Sequence, residues 1–380
     1  MNSHFSIEKS NLAIGFMPLT DCAPVVIAKE MGFFEKWGLN VTLHKQNSWA
    51  ALRDKLHIGS LDAAQMLAPM PLASTLGIGG VKANVITPFV LSRNGNAITL
   101  SNQLYHNILE QHQVSLLSLP LSSSMLKKTI EERRAQNRKL RFATVFPHSC
   151  HYYQLLTWFE RCDISLDDVE IMIIPPSNMV PALNAGDIDG FCVGGPWNAK
   201  AVREGVGLTC ATSSDIWPDS PEKVLGLLAD WQIKYPETTM ALVAALQEAC
   251  CWLENIPNRF EAAKILATSQ YLDTNIDVIA PSLLGSCLVY HDKAPRVVPS
   301  YNQFTAIGKE SSNSPDIAYG DYILEHMIKA NHIDELQAKR LFVGSVFRDD
   351  IYQAVTDIIQ PQYDRHVSLK LTDSLLYHSN

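Results

Sequence analysis

The sequence predicts an α/β protein of two lobes with a ligand cleft between them. Short apolar segments alternate with helix-forming segments through residue 215, a rhythm typical of mainly parallel sheets covered by helices. The rhythm breaks over the polar residues 102–141 and then restarts, which indicates a second sheet. We therefore expect lobe I to comprise residues 1–100 and 218–380, with a helical C-terminal part, and lobe II to comprise residues 101–217.

In lobe I, strands are predicted where apolar residues are continuous or alternate, and helices where they recur three or four positions apart. Thr20 or Asp21 is expected to cap the first helix, because either side chain can accept a hydrogen bond from a free backbone amide. From about Ser220 to Gln360 the chain is expected to be mostly amphipathic helix, interrupted near Tyr290–Asn302. The predicted strands are 12–18, 40–46 and 83–91, the helices are 20–38 and 48–59, and 97–101 is a crossing between lobes.

In lobe II, the polar residues 102–141 are expected to form surface helices. Buried strands are predicted at 140–147 and 169–176, because both runs are largely apolar. Residues 151–163 have helical spacing, and 178–197 are predicted to run as helix, turn, strand and loop.

Composition and charge exclude several classes of protein. Apolar residues are 47% of the chain and charged residues 18%, which supplies packed cores and excludes a disordered protein. The net charge of −8 argues against direct nucleic-acid binding through an overall positive field. Because no run of 18 apolar residues occurs, no membrane span is expected.

The N-terminal residues and the cysteines favour a cytoplasmic location. The leader MNSHFSIEKS has no basic region, apolar core or small-residue cleavage site, all of which a secretory signal requires. The eight cysteines show no CxxC pair and no regular spacing, so free thiols in a reducing compartment are expected. A secreted chain whose signal has been cut off would have the same features.

Motifs of common enzymes are missing from the sequence, so no enzymatic activity is expected. There is no GxxxxGK[ST] loop, GxSxG elbow or HExxH helix, and GIGG at 77–80 lacks the dinucleotide-binding spacing. His148 and His151 could bind a metal, but no companion ligand lies at suitable spacing, so no metal site is expected. Cys150 has no paired base nearby in the sequence, which disfavours a nucleophilic role.

The basic run from Lys127 to Arg141 has two interpretations. Glu131 and Glu132 lie beside its arginines, as is common on a solvated helix face. The alternative is a docking surface for a protein partner.

Hydrogen-bond donors occur at the ends of the predicted strands. Ligands of open α/β sheets bind beside the carboxyl ends of strands, so these loops are expected to face one cleft. Taken singly, the four side chains have structural alternatives: a core tryptophan, a turn asparagine, a solvent-exposed histidine and an exposed lysine at a helix start. Taken together, the positions lack carboxylates and suit a small anion; they are Trp49, Asn96, His151, Gly194 and Lys223.

Much of the chain resembles the nitrate-binding proteins of bacterial nitrate uptake and their relatives without a secretion signal, the NasS-type nitrate/nitrite sensors. The resemblance implies a two-lobed periplasmic-binding-protein fold, type II-like, with a hinged ligand cleft. The similar segments follow the family's order and cover most of the chain; they are 15–41, 48–56, 61–73, 94–101, 146–159, 173–202, 220–225 and 346–353.

The resemblance also implies which residues bind the ligand. Family members hold nitrate through a tryptophan, an amide side chain, a histidine, a backbone glycine and a lysine, which correspond to Trp49, Asn96, His151, Gly194 and Lys223. Two positions depart from the family pattern. Asn96 stands where the transport proteins have glutamine, and Gly195 of GGPW stands where they usually have glutamate. No metal or other cofactor is implied.

The chemistry of the anion agrees with these residues. Nitrate has three acceptor oxygens and no proton to donate, so its ideal shell contains donors only. Bicarbonate, which close relatives carry, has a hydroxyl that needs an acceptor, and the resemblance implies that those relatives replace the lysine with glutamate and use calcium. Lys223 therefore favours nitrate or nitrite.

Two functions compete at this point. A cytoplasmic NasS-type sensor would bind nitrate or nitrite and release a NasT-type antiterminator, so that the partner rather than this chain contacts RNA. The substrate-binding component of an ABC transporter would instead deliver nitrate or nitrite to a permease. The leader and the thiols favour the sensor.

Overall fold

Two β-sheets organise the computed structural model, which describes residues 5–304 and 313–359. The chain starts in one sheet, builds the second, and returns to the first, so the predicted two-lobed α/β fold is confirmed. The elements before the first crossing are β1 Asn11–Phe16, α1 Ala23–Glu30, α2 Phe33–Lys36, β2 Asn40–Lys45, α3 Trp49–His57, β3 Ala63–Leu67, α4 Met70–Leu76 and β4 Val85–Asn94.

The second lobe is formed by the middle of the chain, and its polar first part contains two surface helices as predicted. Its elements are β5 Asn96–Ser101, α5 Asn102–His112, α6 Lys127–Ala135, β6 Leu140–Thr144, α7 Cys150–Glu160, β7 Val169–Ile173, α8 Met179–Ala185, β8 Gly190–Gly194, α9 Trp197–Arg203, β9 Gly207–Thr212 and α10 Ser213–Ile216.

The remaining elements complete the first lobe and add a largely helical C-terminal part. They are β10 Pro221–Leu228, α11 Ala229–Lys234, α12 Pro236–Leu253, α13 Ile256–Ala267, α14 Ile276–Leu283, β11 Ser286–Cys287, β12 Arg296–Val297, β13 Asn302–Gln303, α15 Ile317–Lys329 and α16 Glu335–Lys339, followed by helical residues 349–359.

The first sheet has the strand order β13-β4-β10-β3-β1-β2, with β1 parallel to β2 and β3 and with β10 antiparallel to β3 and β4. The predicted helical interpretation of residues 221–228 is therefore wrong. This segment is buried between two neighbouring strands, so its side chains do not alternate between core and solvent. Its continuous run Val-Leu-Gly-Leu-Leu is typical of such a strand and hides the period of two.

The second sheet has the order β7-β6-β8-β5-β9. Because β5 pairs with β8 and β9, the chain enters this sheet at Gly95, inside the range that the sequence assigned to lobe I. Asn94 and Gly95 have φ of 57° and 93°, and a Cβ at residue 95 would lie 2.5 Å from Asn302 Oδ1. Both the conformation and the close approach require glycine here.

Serine side chains begin several of the helices that lead to the cleft. Ser48, Ser101 and Ser149 each accept a hydrogen bond from a first-turn amide of α3, α5 and α7, respectively. The predicted cap by Thr20 or Asp21 is wrong, because both residues lie in a short 3₁₀ turn that precedes α1 and neither side chain caps it. Within residues 5–304 and 313–359, no helix is both long and apolar enough to cross a bilayer.

Candidate functional site

The five residues predicted to bind an anion come together between the two lobes. Each is positioned by the end of a secondary-structure element, and all five are buried. They are Trp49 at the start of α3, Asn96 at the start of β5, His151 in the first turn of α7, Gly194 at the end of β8 and Lys223 near the start of β10.

The ammonium group of Lys223 lies at the centre of this arrangement. Its Nζ is 2.8 Å from Asp21 Oδ2 and 2.7 Å from Glu222 Oε1, and it lies 5.6 Å from the centroid of the Trp49 ring. Burial alone would lower the pKa of Lys223, but the two carboxylates raise it above its ordinary value. Lys223 is therefore a buried cation, and the predicted exposed lysine at a helix start is excluded.

The site contains two carboxylates, so the prediction that it lacks them is wrong. Asp21 and Glu222 are 1% and 0% exposed, and both contact the Lys223 ammonium. Neither residue is evident from the sequence, because Asp21 has the pattern of a helix cap and Glu222 lies in SPEKV (220–224), which has the pattern of an exposed helix start. We call Asp21, Trp49, Asn96, His151, Gly194, Glu222 and Lys223 the interlobe cluster.

Glu222 connects strands and helices of both lobes. Its Oε2 accepts a hydrogen bond of 2.6 Å from Asn96 Nδ2, and its Oε1 lies 3.4 Å from His151 Nε2. Burial raises the pKa of Glu222 above its ordinary value, although Lys223 and the Asn96 amide act in the opposite direction. Its neutral form is therefore favoured more than that of an exposed glutamate.

His151 and Trp49 supply donor groups that the protein itself leaves unused. Burial, together with the Lys223 charge, lowers the pKa of His151 well below its usual value, so the imidazole is neutral. Both ring nitrogens of His151 and Trp49 Nε1 are buried and have no hydrogen-bond partner among the described residues, and a neutral imidazole carries one N–H, so His151 offers one donor. Because an indole N–H can only donate, Trp49 Nε1 suits an acceptor such as an anion oxygen.

The amide of Asn96 is already used within the protein. Its Nδ2 donates to Gln154 Oε1 at 2.9 Å as well as to Glu222, and Gln154 donates in turn to Ser220 Oγ at 3.0 Å. Asn96 Oδ1 has no donor among the described residues. Asn96 thus holds Glu222 in place, and its predicted role as a direct ligand stays a prediction.

Main-chain groups close the cluster from the second lobe. Gly194 ends β8 beside Asp21, since a Cβ at residue 194 would lie 3.2 Å from Asp21 Oδ2. The next residue, Gly195, accepts a hydrogen bond of 2.8 Å from the Thr20 amide of the first lobe. The lobes are therefore in contact, and the cluster is shielded from solvent.

Two other predicted candidates lie apart from the cluster's centre. His148 pairs with His332 at 3.3 Å between their Nδ1 atoms, so it does not share a site with His151. Burial and the charge of Glu222 raise the pKa of Cys150 well above its ordinary value, which opposes the thiolate that a nucleophile needs. Among the described residues, no group of three His, Cys, Asp or Glu side chains could hold a metal.

The basic run lies outside the interlobe cluster. Arg133 pairs with Asp189 at 3.0 Å, while Arg138 and Lys139 are exposed. Together with Arg141, the two arginines line a surface groove of about 610 Å³ that includes no residue of the interlobe cluster. The solvated-face and docking-surface interpretations both remain predictions.

Comparisons with known proteins agree on one family. The model of the NMT1-like family matches residues 6–267. The chain is 38% identical to the nitrate import ATP-binding protein NrtC of Synechocystis over 98% of this chain and 54% of that protein. It is 42% identical to the bicarbonate transport ATP-binding protein CmpC of Synechocystis over 72% of this chain and 39% of that protein. The chain thus spans about half or less of the length of these relatives.

A solved structure extends the likeness to three dimensions. The periplasmic nitrate-binding protein NrtA of Synechocystis superposes with a TM-score of 0.84 at 26% identity, covering 93% of this chain and 90% of that one. The two-lobed periplasmic-binding-protein fold is therefore confirmed.

Proposed function

The chain belongs to the NMT1-like family, and we propose that it binds nitrate or nitrite in the interlobe cluster. The observation that carries the proposal is the pair of unused buried donors, the Trp49 indole N–H and the single ring N–H of His151, in the same cluster as the Lys223 ammonium. A micromolar site needs about −8 kcal/mol. Three charge-assisted hydrogen bonds of about 1.5–3 kcal/mol each, from Trp49, His151 and the remaining hydrogen of Lys223, supply up to about 9 kcal/mol.

Bicarbonate is the competing ligand, since a bicarbonate transport protein is among the relatives. Asp21 and Glu222 provide the acceptors that its hydroxyl would need, so the selectivity for nitrate depends on Lys223. Calorimetric titration of the purified protein with nitrate, nitrite, bicarbonate and sulfate tests the proposal. We expect binding of nitrate or nitrite without added calcium; binding of bicarbonate alone would overturn it.

We further propose that the protein is a cytoplasmic sensor of the NasS type, which controls a NasT-type antiterminator. None of the eight cysteines, all of which lie within residues 5–304, forms a disulfide, and six of them are buried, which fits a reducing compartment. An anion that prefers the closed cleft must weaken any partner that prefers the open form, and by the same factor. The partner would contact RNA, in keeping with the net charge of −8 on this chain.

Co-purification with the NasT-type protein, with and without nitrate, tests the sensor role. We expect a complex without the anion and its release when nitrate is added. The alternative, substrate delivery to an ABC transporter for nitrate or nitrite, is favoured by the transport names of the relatives. Nitrate-dependent stimulation of a transporter's ATPase, with no anion effect on the antiterminator, would establish that alternative.

A further inference from the structure

We propose that Glu222 couples anion binding to the uptake of one proton, shared between its carboxyl group and the ring of His151. This inference rests on the proposed function, because it concerns the same cluster and the same anion. The geometry that supports it is the 3.4 Å separation of Glu222 Oε1 from His151 Nε2 beside the Lys223 ammonium.

The charges of the cluster do not favour an anion as they stand. Lys223 contributes one positive charge, while Asp21 and Glu222 contribute two negative charges within 2.8 Å of it, so the sum is +1 − 2 = −1. Nitrate would bring the sum to −2 in a region from which water is excluded. Charges in such a region interact far more strongly than charges in water. One added proton restores the sum to −1 when the anion is bound.

The surroundings of Glu222 make it the acid of the cluster that is protonated most readily. The groups that face it are Lys223 from its own strand, Asp21 from the turn after β1, Asn96 from β5, Cys192 from β8, and His151 and Cys150 from α7. Burial raises the pKa of Glu222, so protonation costs less there than at an exposed glutamate. Asp21, in contrast, is held by Gln65 Nε2 at 3.0 Å and by Lys223.

The added proton can be bound either by Glu222 Oε1 or by His151 Nε2, which lie 3.4 Å apart. On Glu222 Oε1 it removes a negative charge next to the anion. On His151 Nε2 it makes an imidazolium that pairs with Glu222, while His151 Nδ1 still donates to the anion. Both arrangements have the same net charge, and both take the proton from the buffer.

Calorimetry measures the proton directly. Nitrate titrations at about pH 6.5, 7.5 and 8.5, each in two buffers of different ionisation enthalpy, give the number of protons bound per anion. We expect one proton per nitrate and a Kd that rises about tenfold per pH unit over the range where that proton is taken up. A Kd that is independent of pH, with the same heat in every buffer, would overturn the inference.

The variant Glu222→Gln tests whether this residue takes the proton, because the amide has the shape of the protonated acid but cannot gain or lose that proton. We expect the dependence of nitrate affinity on pH and buffer to disappear, while the affinity itself changes with the altered contacts to Lys223 and Asn96. The matched control is Glu248→Gln, since Glu248 is also buried and pairs with a lysine, Lys36, at 2.7 Å, but lies outside the cluster. The control should keep the wild-type proton uptake.

The possible failures are distinguishable. Nitrate that fails to bind wild-type protein at any pH contradicts the proposed function itself. Nitrate that binds with one proton in both wild type and Glu222→Gln contradicts the role of Glu222 alone. If Glu222→Gln does not fold, the buffer dependence of the wild type still decides whether a proton is taken up.

Discussion

The backbone amide of Thr20 donates a hydrogen bond of 2.8 Å to the carbonyl oxygen of Gly195, and this bond joins the first lobe to the second. The space around Gly195 is narrow. A Cβ added there would lie 2.9 Å from Thr20 Oγ1 and 3.3 Å from Ser282 Oγ. The glutamate expected from the transport-protein pattern would therefore not fit this closed arrangement without a shift of its neighbours.

Gly195→Ala is expected to weaken nitrate binding by about 1 kcal/mol, near the low end of overpacking penalties, because the Thr20 side chain can rotate away. The loss arises from a destabilised closed form, so small-angle scattering should show a more extended protein. Calorimetry with nitrate measures the change in affinity.

The double variant Gly195→Ala/Thr20→Ala is the control, since it removes the hydroxyl that the new methyl group meets. Restored affinity supports the steric explanation. If the double variant binds as weakly as Gly195→Ala, the contact with Thr20 is not the cause.

Lys223→Ala is expected to cost about 2–5 kcal/mol of nitrate binding, because the anion loses its only close cation in the cluster. It should also lower the free energy of unfolding, since Asp21 and Glu222 would be left buried without their partner. Calorimetry and urea denaturation measure the two effects separately.

Lys36→Ala serves as the comparison for Lys223→Ala. It removes the ammonium beside the buried Glu248 and should lower stability while leaving the nitrate affinity unchanged. Equal affinities for wild type and Lys223→Ala would remove Lys223 from the binding site.

Trp49→Phe removes the unused indole N–H and keeps most of the packing, so nitrate binding should weaken by about 1–2 kcal/mol. The free energy of unfolding without nitrate should change less than for Trp158→Phe. In the wild-type protein, the Trp158 N–H that this second substitution removes donates a hydrogen bond of 2.8 Å to Leu121 O within lobe II. A Trp49→Phe protein with wild-type affinity contradicts a hydrogen bond from the indole to the anion.

His148 makes stability depend on pH. Burial, followed by its neighbours His332 and Arg53, lowers the pKa of His148 from 6.5 to about 4. The unfolded chain therefore binds more protons than the folded protein between these values, so stability is full above about pH 6.5 and falls as the pH falls toward about 4. Urea denaturation across this range should show a decline that His148→Gln reduces by up to about 1.4 kcal/mol per pH unit.

If His148→Gln keeps the wild-type slope, burial and the neighbouring His332 and Arg53 do not hold His148 in its neutral form.

Most of the fold could be predicted because local patterns and final structure agree. The alternation of polar and apolar residues in Asn40–Lys45 and the run of mostly apolar residues in Leu140–Thr144 predict these two strands correctly. Pro221–Leu228 could not be assigned with equal ease, since its strand is stabilised by β3 and β4, which are more than 100 residues away in the sequence. The residues that follow this strand have helical spacing of apolar residues, and the predicted helical region wrongly included the strand as well.

In the candidate site, too, local sequence patterns predict some residues, whereas contacts between residues distant in the sequence could not be predicted. Trp49, His151 and Lys223 carry uncommon donor groups next to strand ends, and this signal is local. The contacts of Asp21 and Glu222 with the Lys223 ammonium depend on how the chain is folded in space. A buried lysine requires compensating acids, so assigning 221–228 to a buried strand would have pointed to them.

The return of the chain to its first sheet has a consequence during synthesis on the ribosome. Strand β10 lies between β3 and β4, yet it follows all of the second sheet in the sequence. The N-terminal lobe therefore stays incomplete, with a gap in its sheet, until Leu228 has left the exit tunnel, whereas the inserted lobe can fold as a continuous piece. A nascent chain released before that point lacks the strand that carries Glu222 and Lys223.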